Sequence, residues 1–167
     1  MGKYKANVSY FQWKNDFAAA RNYNFSKVTK DYDYILWLDA DDIIQNPEKI
    51  RPTIEEHKNV DAFAFWYYYA FDKQNNPTVV HKKTQIVRND NCVEWIGRLH
   101  EDFKENRGLN AKFIEGIQRI HLTTDEHFAN AQKRNVEISR EEAKLNPQDP
   151  KVYFNLGNSL LGAGNAK

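Results

Sequence analysis

Five consecutive apolar residues, Tyr34–Leu38, run into Asp39, Asp41 and Asp42, and the chain turns apolar again at Ile43 and Ile44. A continuous apolar run of that length predicts a strand covered on both faces. Upstream, Val8–Phe11 is short and β-prone. Asp16 is placed to cap a helix over Phe17–Thr29. Downstream, Pro47 opens a predicted helix over Glu48–His57. The aromatic run Asp61–Phe71 predicts a strand, and the polar Asp72–Pro77 a turn. Thr78–His81 and Thr84–Arg88 supply its partners, and Lys112–His121 contains a further β-like piece. Strands interspersed with helices through about Leu122 predict an α/β domain.

The texture then changes. Phe128–Leu145 is rich in Ala, Glu, Lys and Arg and predicts a helix, ended by the prolines of Asn146–Pro150. In Lys151–Lys167, Tyr153, Leu156, Gly157 and Leu160 fall in phase with the first helix of a tetratricopeptide unit, with Pro147 closing the unit before it. An ordinary amphipathic helix is the competing reading. The boundary is therefore set between residues 1–127, the α/β part, and 128–167, a helical tetratricopeptide-like start.

Bulk properties narrow the function classes. With 167 residues, 41% hydrophobic and 14% aromatic, the chain has material for a core. A formal net charge of +1 gives no field for steering toward nucleic acid or an anionic membrane. The lone cysteine, Cys92, allows no internal disulfide and fits a reducing, cytoplasmic setting. No apolar window reaches membrane-spanning length.

The acidic tip carries the candidate chemistry. Three carboxylates in four positions repel one another unless a cation or water shares the site. Hard divalent ions, Mg2+ or Mn2+, take oxygen ligands and complete their shells with substrate phosphates. Alternation along an extended strand puts Asp39 and Asp41 on one side together. A solvated acidic turn with a helix cap is the plainer alternative.

Four segments, in order, extend the picture: DFAAARN from Asp16 and LDADD from Leu38, both within WKNDFAAARNYNFSKVTKDYDYILWLDADDII, then WIGRLHEDF from Trp95 and IHL from Ile120. Together they resemble family 2 glycosyltransferases of the GT-A fold, closest to the bacterial subgroup whose transferase domain is followed by tetratricopeptide repeats. The likeness covers about Tyr10 to Pro150. It implies a partial GT-A (nucleotide-diphospho-sugar transferase-like) domain with a mixed sheet, and an inverting, metal-dependent transfer from a nucleotide-sugar donor to an acceptor hydroxyl on a glycan, lipid or protein. Asp41 would hold Mg2+ or Mn2+, Asp39 would aid the metal or the ribose, and His121 would be the third ligand.

By the same resemblance Arg21 and Asn22 lie on a helix face toward the nucleotide. Glu101 is the first choice of catalytic base and Asp102 the second, because an attacking hydroxyl must lose its proton. His100 orients the acceptor or packs, and Trp95 and Arg98 line the sugar or acceptor pocket. Plainer roles stay open: a hydrogen-bonded strand-end His121, a surface ion pair at the Arg21–Asn22 stretch of the helix, and a core position for Trp95. Trp66 and Tyr67–Tyr69 invite a sugar-stacking role, but alternation buries half of them, so packing is the better default.

Met1–Gln12 does not supply the family's opening strands, so the expectation is a chain truncated at both ends, with activity in doubt and the metal strand at an exposed sheet edge. Two other classes compete. A haloacid-dehalogenase-type phosphatase also places Asp-x-Asp after an apolar strand, but wants Thr or Val where Ile43 stands. A non-catalytic scaffold would use the helical C-terminus to bind a protein partner.

Overall fold

The computed structural model describes residues 6–122 and 125–164, with the side chains of 125–129 excepted. The chain is α/β and divides into two compact units.

The first unit, Lys30–Val93 with Glu105–His127, is built on a five-stranded mixed sheet. Its strands are β1 (Tyr34–Leu36), β2 (Asp42–Gln45), β3 (Ala62–Phe71), β4 (Pro77–Arg88) and β7 (Ala111–His121), in the order β1-β4-β3-β7-β2. Pairing is antiparallel except between β3 and β7. Pro47–Lys49 forms a 3₁₀ turn that leads into α2 (Ile50–Glu56). Val60, Phe63, Phe65, Ile86, Ile114 and Ile117 make the core, with Tyr34, Ile44, Ile50 and Ile54 packed against it. Each such large side chain taken from water contributes about 1.5–3 kcal/mol.

The strand ahead of the acids differs from its sequence expectation. It is three residues long and, among the described residues, pairs with β4 alone, so it forms an edge, as expected. It is not covered on both faces: Ile35 and Trp37 are buried, while Leu36 and Leu38 are each about two-fifths exposed. The apolar run is continuous, but its burial alternates. Thr78–His81 and Thr84–Arg88 join in one twelve-residue strand whose register against β3 shifts around Phe63 and Ala64 and again from Tyr68 to Phe71. Its turn is held by Asp72, which accepts from the backbone of Gln74 and Asn76. β2 was not anticipated, because its first residue is one of the clustered acids. It forms because Asp42–Gln45 registers on His121–Gln118, and Asn46, in the left-handed region at φ 57°, ends it.

The second unit gathers the stretch ending at Thr29, Glu94–Lys104 and the helices beyond residue 128. It holds α1 (Phe17–Phe25), most of the pair β5 (Val93–Ile96) and β6 (Asp102–Glu105), α3 (Asp125–Leu145) and α4 (Pro150–Gly162). Asp16 caps α1 as expected, accepting from the Ala19 amide at 2.8 Å. The helix stops at Phe25 rather than Thr29: Lys27 and Val28 donate to Asn24 and Phe25, a 3₁₀ tightening that ends the turn. Residues 6–14 form no regular structure, so the strand expected at Val8–Phe11 is not there. Val8 and Tyr10 are largely exposed, and β propensity without a partner strand does not make a sheet.

α3 ends at Leu145 as expected, and Asp149 caps α4 by accepting from Lys151. The two helices meet through a buried contact between the hydroxyls of Ser139 and Ser159, 3.0 Å apart. Ser159 donates to Asn155 O, so Ser139 is the donor across the helix pair. Val152, Asn155 and Ser159 are the buried face of α4, while Tyr153 and Phe154 stand half or more exposed.

Candidate functional site

In the sheet unit, the acidic tip folds as a turn. Asp42 N donates to Asp39 O at 3.1 Å, and Asp39 N donates back to Asp42 Oδ2 at 3.1 Å. Residues 37–41 lie outside the strands, and Ala40 and Asp41 form a turn, so one strand's alternation does not run through Asp39 and Asp41. The third acid, Asp42, opens β2 and registers directly on His121 at the end of β7. The Leu122 amide donates to Asp41 O at 2.7 Å and ties the turn to the same strand end.

This pairing brings ligand atoms of Asp41, Asp42 and His121 within 4.8 Å of one another. His121 Nδ1 lies 3.2 Å from Asp42 Oδ1 and 3.8 Å from Asp41 Oδ1. Tyr69 stacks on the imidazole, ring centroids 5.0 Å apart and planes 6° from parallel. Asp39 reaches a different partner: its Oδ2 accepts from Arg119 Nη2 at 2.7 Å.

Arg119 is the side chain that sequence reading did not single out. It is 1% exposed, and its guanidinium lies over the rings of Trp37 and Tyr67, 4.7 and 4.2 Å from their centroids. Its Nε donates to Asp42 Oδ2 at 2.7 Å, its Nη2 also meets that oxygen, and its Nη1 donates to Gln85 Oε1 at 2.9 Å. A buried cation is tolerable only when paired and hydrogen-bonded, and this one is both. A pattern-level signal was present, since Arg119 lies two residues before His121 in an apolar stretch.

The charges respond to one another. Burial pushes the Asp42 carboxyl up, but hydrogen bonds from His121 and Arg119 outweigh it and hold the group below the usual carboxylate range. The bond to Asp42 raises His121, against burial and with help from the Asp41 charge. Burial raises the Tyr67 phenol, so its hydroxyl stays a donor, 3.4 Å from Asp42 Oδ1.

In the helical unit, the remaining candidates cluster around β5. Arg21 Nε donates to Glu101 Oε1 at 2.5 Å, with both side chains mostly buried, and its guanidinium lies 5.0 Å from the Trp95 ring. Asn22 spends both ends of its amide on the Trp95 backbone, at 2.9 and 3.0 Å. Trp95 is a core residue, 2% exposed, packed on Phe25 and Phe103.

Arg98 donates to the Asn15 and Lys14 carbonyls and pairs with Glu141 at 3.2 Å. His100 is exposed and takes φ 52°, unusual for a residue with a side chain, in the loop that turns β5 into β6. Asp102 is exposed, its Oδ1 accepting from the Phe103 amide at 2.8 Å. A cavity of about 370 Å3 opens beside this cluster, with Asn22, Gly97, Arg98 and Glu142 among its walls.

Residues 2–114, more than half the chain, match the family model described as glycosyl transferase family 2. The chain belongs to that family. It is also 25% identical over 161 residues to the SPbeta prophage-derived glycosyltransferase SunS of Bacillus subtilis (strain 168), and equally to the glycosyltransferase SunS of Bacillus phage SPbeta. Each alignment takes in 92% of this chain, which spans 37% of the relative's length. The mixed sheet with C-terminal helices is consistent with a GT-A domain of this family. Among the described residues, no helix is long and apolar enough to cross a membrane.

Proposed function

We propose that this chain carries the metal-binding and acceptor-activating parts of an inverting glycosyltransferase that moves a sugar from a nucleotide-sugar to an acceptor hydroxyl. The observation that carries the reading is the convergence of Asp41, Asp42 and His121 in a chain of family 2. Such transfer leaves a nucleoside diphosphate, and negative charge grows on the departing oxygens. A divalent ion supplies neutralisation of that charge. The donor set fits one: Arg119 pairs with Asp39 and Asp42, and Asp41 adds a third carboxylate beside His121, so three acids share the tip with one buried guanidinium. A mixed carboxylate and imidazole set suits Mn2+ better than Mg2+, which prefers oxygen alone.

Asp39, Asp41 and His121 are the residues assigned to the ion, with Asp39 shared with the ribose. Glu101 takes the acceptor proton, held in place by Arg21; Asp102 is the second choice. His100, exposed on its loop, orients the acceptor. Arg21, which the resemblance turns toward the nucleotide, acts here through its ion pair with Glu101. Asn22, Trp95 and Arg98 shape the cavity through the backbone and core contacts described above.

In this reading residues 1–127 belong to the transferase domain and 128–167 begin a tetratricopeptide-like segment. The exposed Tyr153, Phe154 and Leu161 of α4 suit a protein partner there. The single cysteine, buried Cys92, fits a cytoplasmic setting.

The test is incubation with Mn2+ and a panel of uridine, guanosine and cytidine nucleotide-sugars, following nucleotide release. Release that stops on chelation and in Asp41→Asn is the expected result. Turnover unchanged in Asp41→Asn, or no Mn2+-dependent turnover or donor binding across the panel, overturns the reading.

A further inference from the structure

The helical unit holds a buried acid that the chemistry above does not use. Val136, Ser139 and Glu142 recur at three-residue spacing along α3 and are all buried, so Glu142 stands in the stripe by which the helix packs. It is 7% exposed, and a glutamate that deep is normally paired. Glu142 is only half satisfied. Its Oε1 accepts from the Arg98 amide at 3.4 Å, while Oε2, also buried, meets no donor among the described residues. A buried carboxyl oxygen is costly without a donor, and such atoms in folded chains usually have one.

Glu142 is also a wall of the 370 Å3 cavity described above, together with Asp16, Ala18, Ala19 and Ile96. All these residues belong to the helical unit. The volume lies within the usual range of small-ligand sites, about 300–1,000 Å3. The side-chain donors beside Glu142 are spent elsewhere. Asn22 gives its amide N–H to Trp95 O, and the Arg98 guanidinium goes to the Lys14 and Asn15 carbonyls and to Glu141. Asp16 adds a second acid, one oxygen of which caps α1. The cavity thus presents two acids and a short apolar flank, with its guanidinium turned to other partners.

We propose that this cavity binds a small ligand through a protonated amine that donates to Glu142 Oε2, its carbon skeleton lying against Ala18, Ala19 and Ile96. A hydroxyl also donates, but two acids in one cavity favour a cation over a neutral donor. An amino sugar and an alkyl amine such as a lysine side chain offer the same group, and the chemistry at Glu142 is common to both. The site needs neither the metal nor sugar transfer, so it stands apart from the function proposed above.

The test is titration of the intact 15N-labelled chain with glucosamine and with Nα-acetyl-lysine amide, each beside the form in which that amine is acetylated. Chelator is present, nucleotide-sugar is left out, and the pH keeps the amines protonated. The backbone amides of Gly97 and Arg98 are the reporters, because Arg98 N already touches the other oxygen of Glu142. At least one amine should shift them saturably, and its acetylated form should not. Glu142→Gln keeps Oε1 for the Arg98 amide but removes the charge, and it should weaken binding about 10- to 100-fold, as expected for a hydrogen bond to a charged group. Ala19→Leu, which fills the cavity and leaves the acid in place, should abolish the shifts.

Binding of one amine alone keeps the proposal and identifies the scaffold that carries the group. Three results overturn it: no saturable shift with either amine, acetylated forms that bind as well as the amines, or shifts unchanged in Glu142→Gln. The first of these means that water alone satisfies Oε2. The comparison of amine with acetylated form uses the wild-type protein, so it decides the matter even where neither variant folds.

Discussion

Arg119 and Asp42 meet through two guanidinium nitrogens on one carboxylate oxygen, with the arginine 1% exposed and the aspartate side chain 0%. Removing one member of such a pair strands the other charge in a dry site, which costs about 3–5 kcal/mol, whereas removing both is far milder. Arg119→Met is therefore expected to lower stability by about that amount, and Arg119→Met with Asp42→Asn to recover most of it. Urea unfolding midpoints read the difference. A single-variant loss below about 1 kcal/mol would mean the pair is solvated.

The same cluster sets a pH profile. Asp42 titrates lower in the folded chain than in the unfolded one, so its stabilisation is present above about pH 4 and is lost as pH falls through the lowered value. Asp61, pulled down by hydrogen bonds from Arg107 and the Asn110 amide, acts on the same acid side. His121 titrates higher when folded, so its contribution is complete below about pH 6.5 and is lost as pH rises through the raised value. In chelator, stability should peak between about pH 4 and 6.5. His121→Asn should flatten the alkaline side and leave the acid side. An unchanged alkaline fall in that variant would show that another group causes it.

How far the sequence foretold this site depends on which contacts are local. Asp16 capping α1, Pro47 opening the turn before α2, and Asp72 closing the β3–β4 turn involve partners within a few residues, and each was legible. Asp41 and His121 were also picked out, by chemistry and resemblance, although 80 positions separate them. Arg119 was not, and Asp42 was seen only as one more acid of the tip. Their importance comes from register between β2 and β7, which a single sequence does not print. A run of apolar letters likewise hid the alternation at Ile35 and Leu36, because which face of a strand is packed depends on elements distant in sequence.

Glu101 and Asp102 can be told apart by kinetics. Glu101 is held by Arg21, whereas Asp102 is exposed and engaged with its own strand's backbone. Loss of a general base typically lowers turnover by about 10²- to 10⁴-fold. Glu101→Gln is expected to show that loss in kcat with the nucleotide-sugar KM little changed, and Asp102→Asn to stay within a few-fold of wild type. The reverse pattern would move the base to Asp102.

Asn22 separates a structural role from a nucleotide contact. Its Nδ2 donates to Trp95 O and its Oδ1 accepts from Trp95 N, so one amide side chain serves as a strand partner for β5. Asp has nearly the same shape but, ionised, cannot donate, and it would set a negative charge against the Trp95 carbonyl. Stranding a buried backbone acceptor costs about 1–3 kcal/mol. Asn22→Asp should therefore lower the unfolding midpoint by an amount in that range, while donor affinity of the folded protein changes little. Because Trp95 packs on Phe25 and Phe103, the loosening should also appear as a red shift of tryptophan emission. A variant of wild-type stability that binds nucleotide-sugar poorly would instead return Asn22 to the nucleotide-facing role that the resemblance implied.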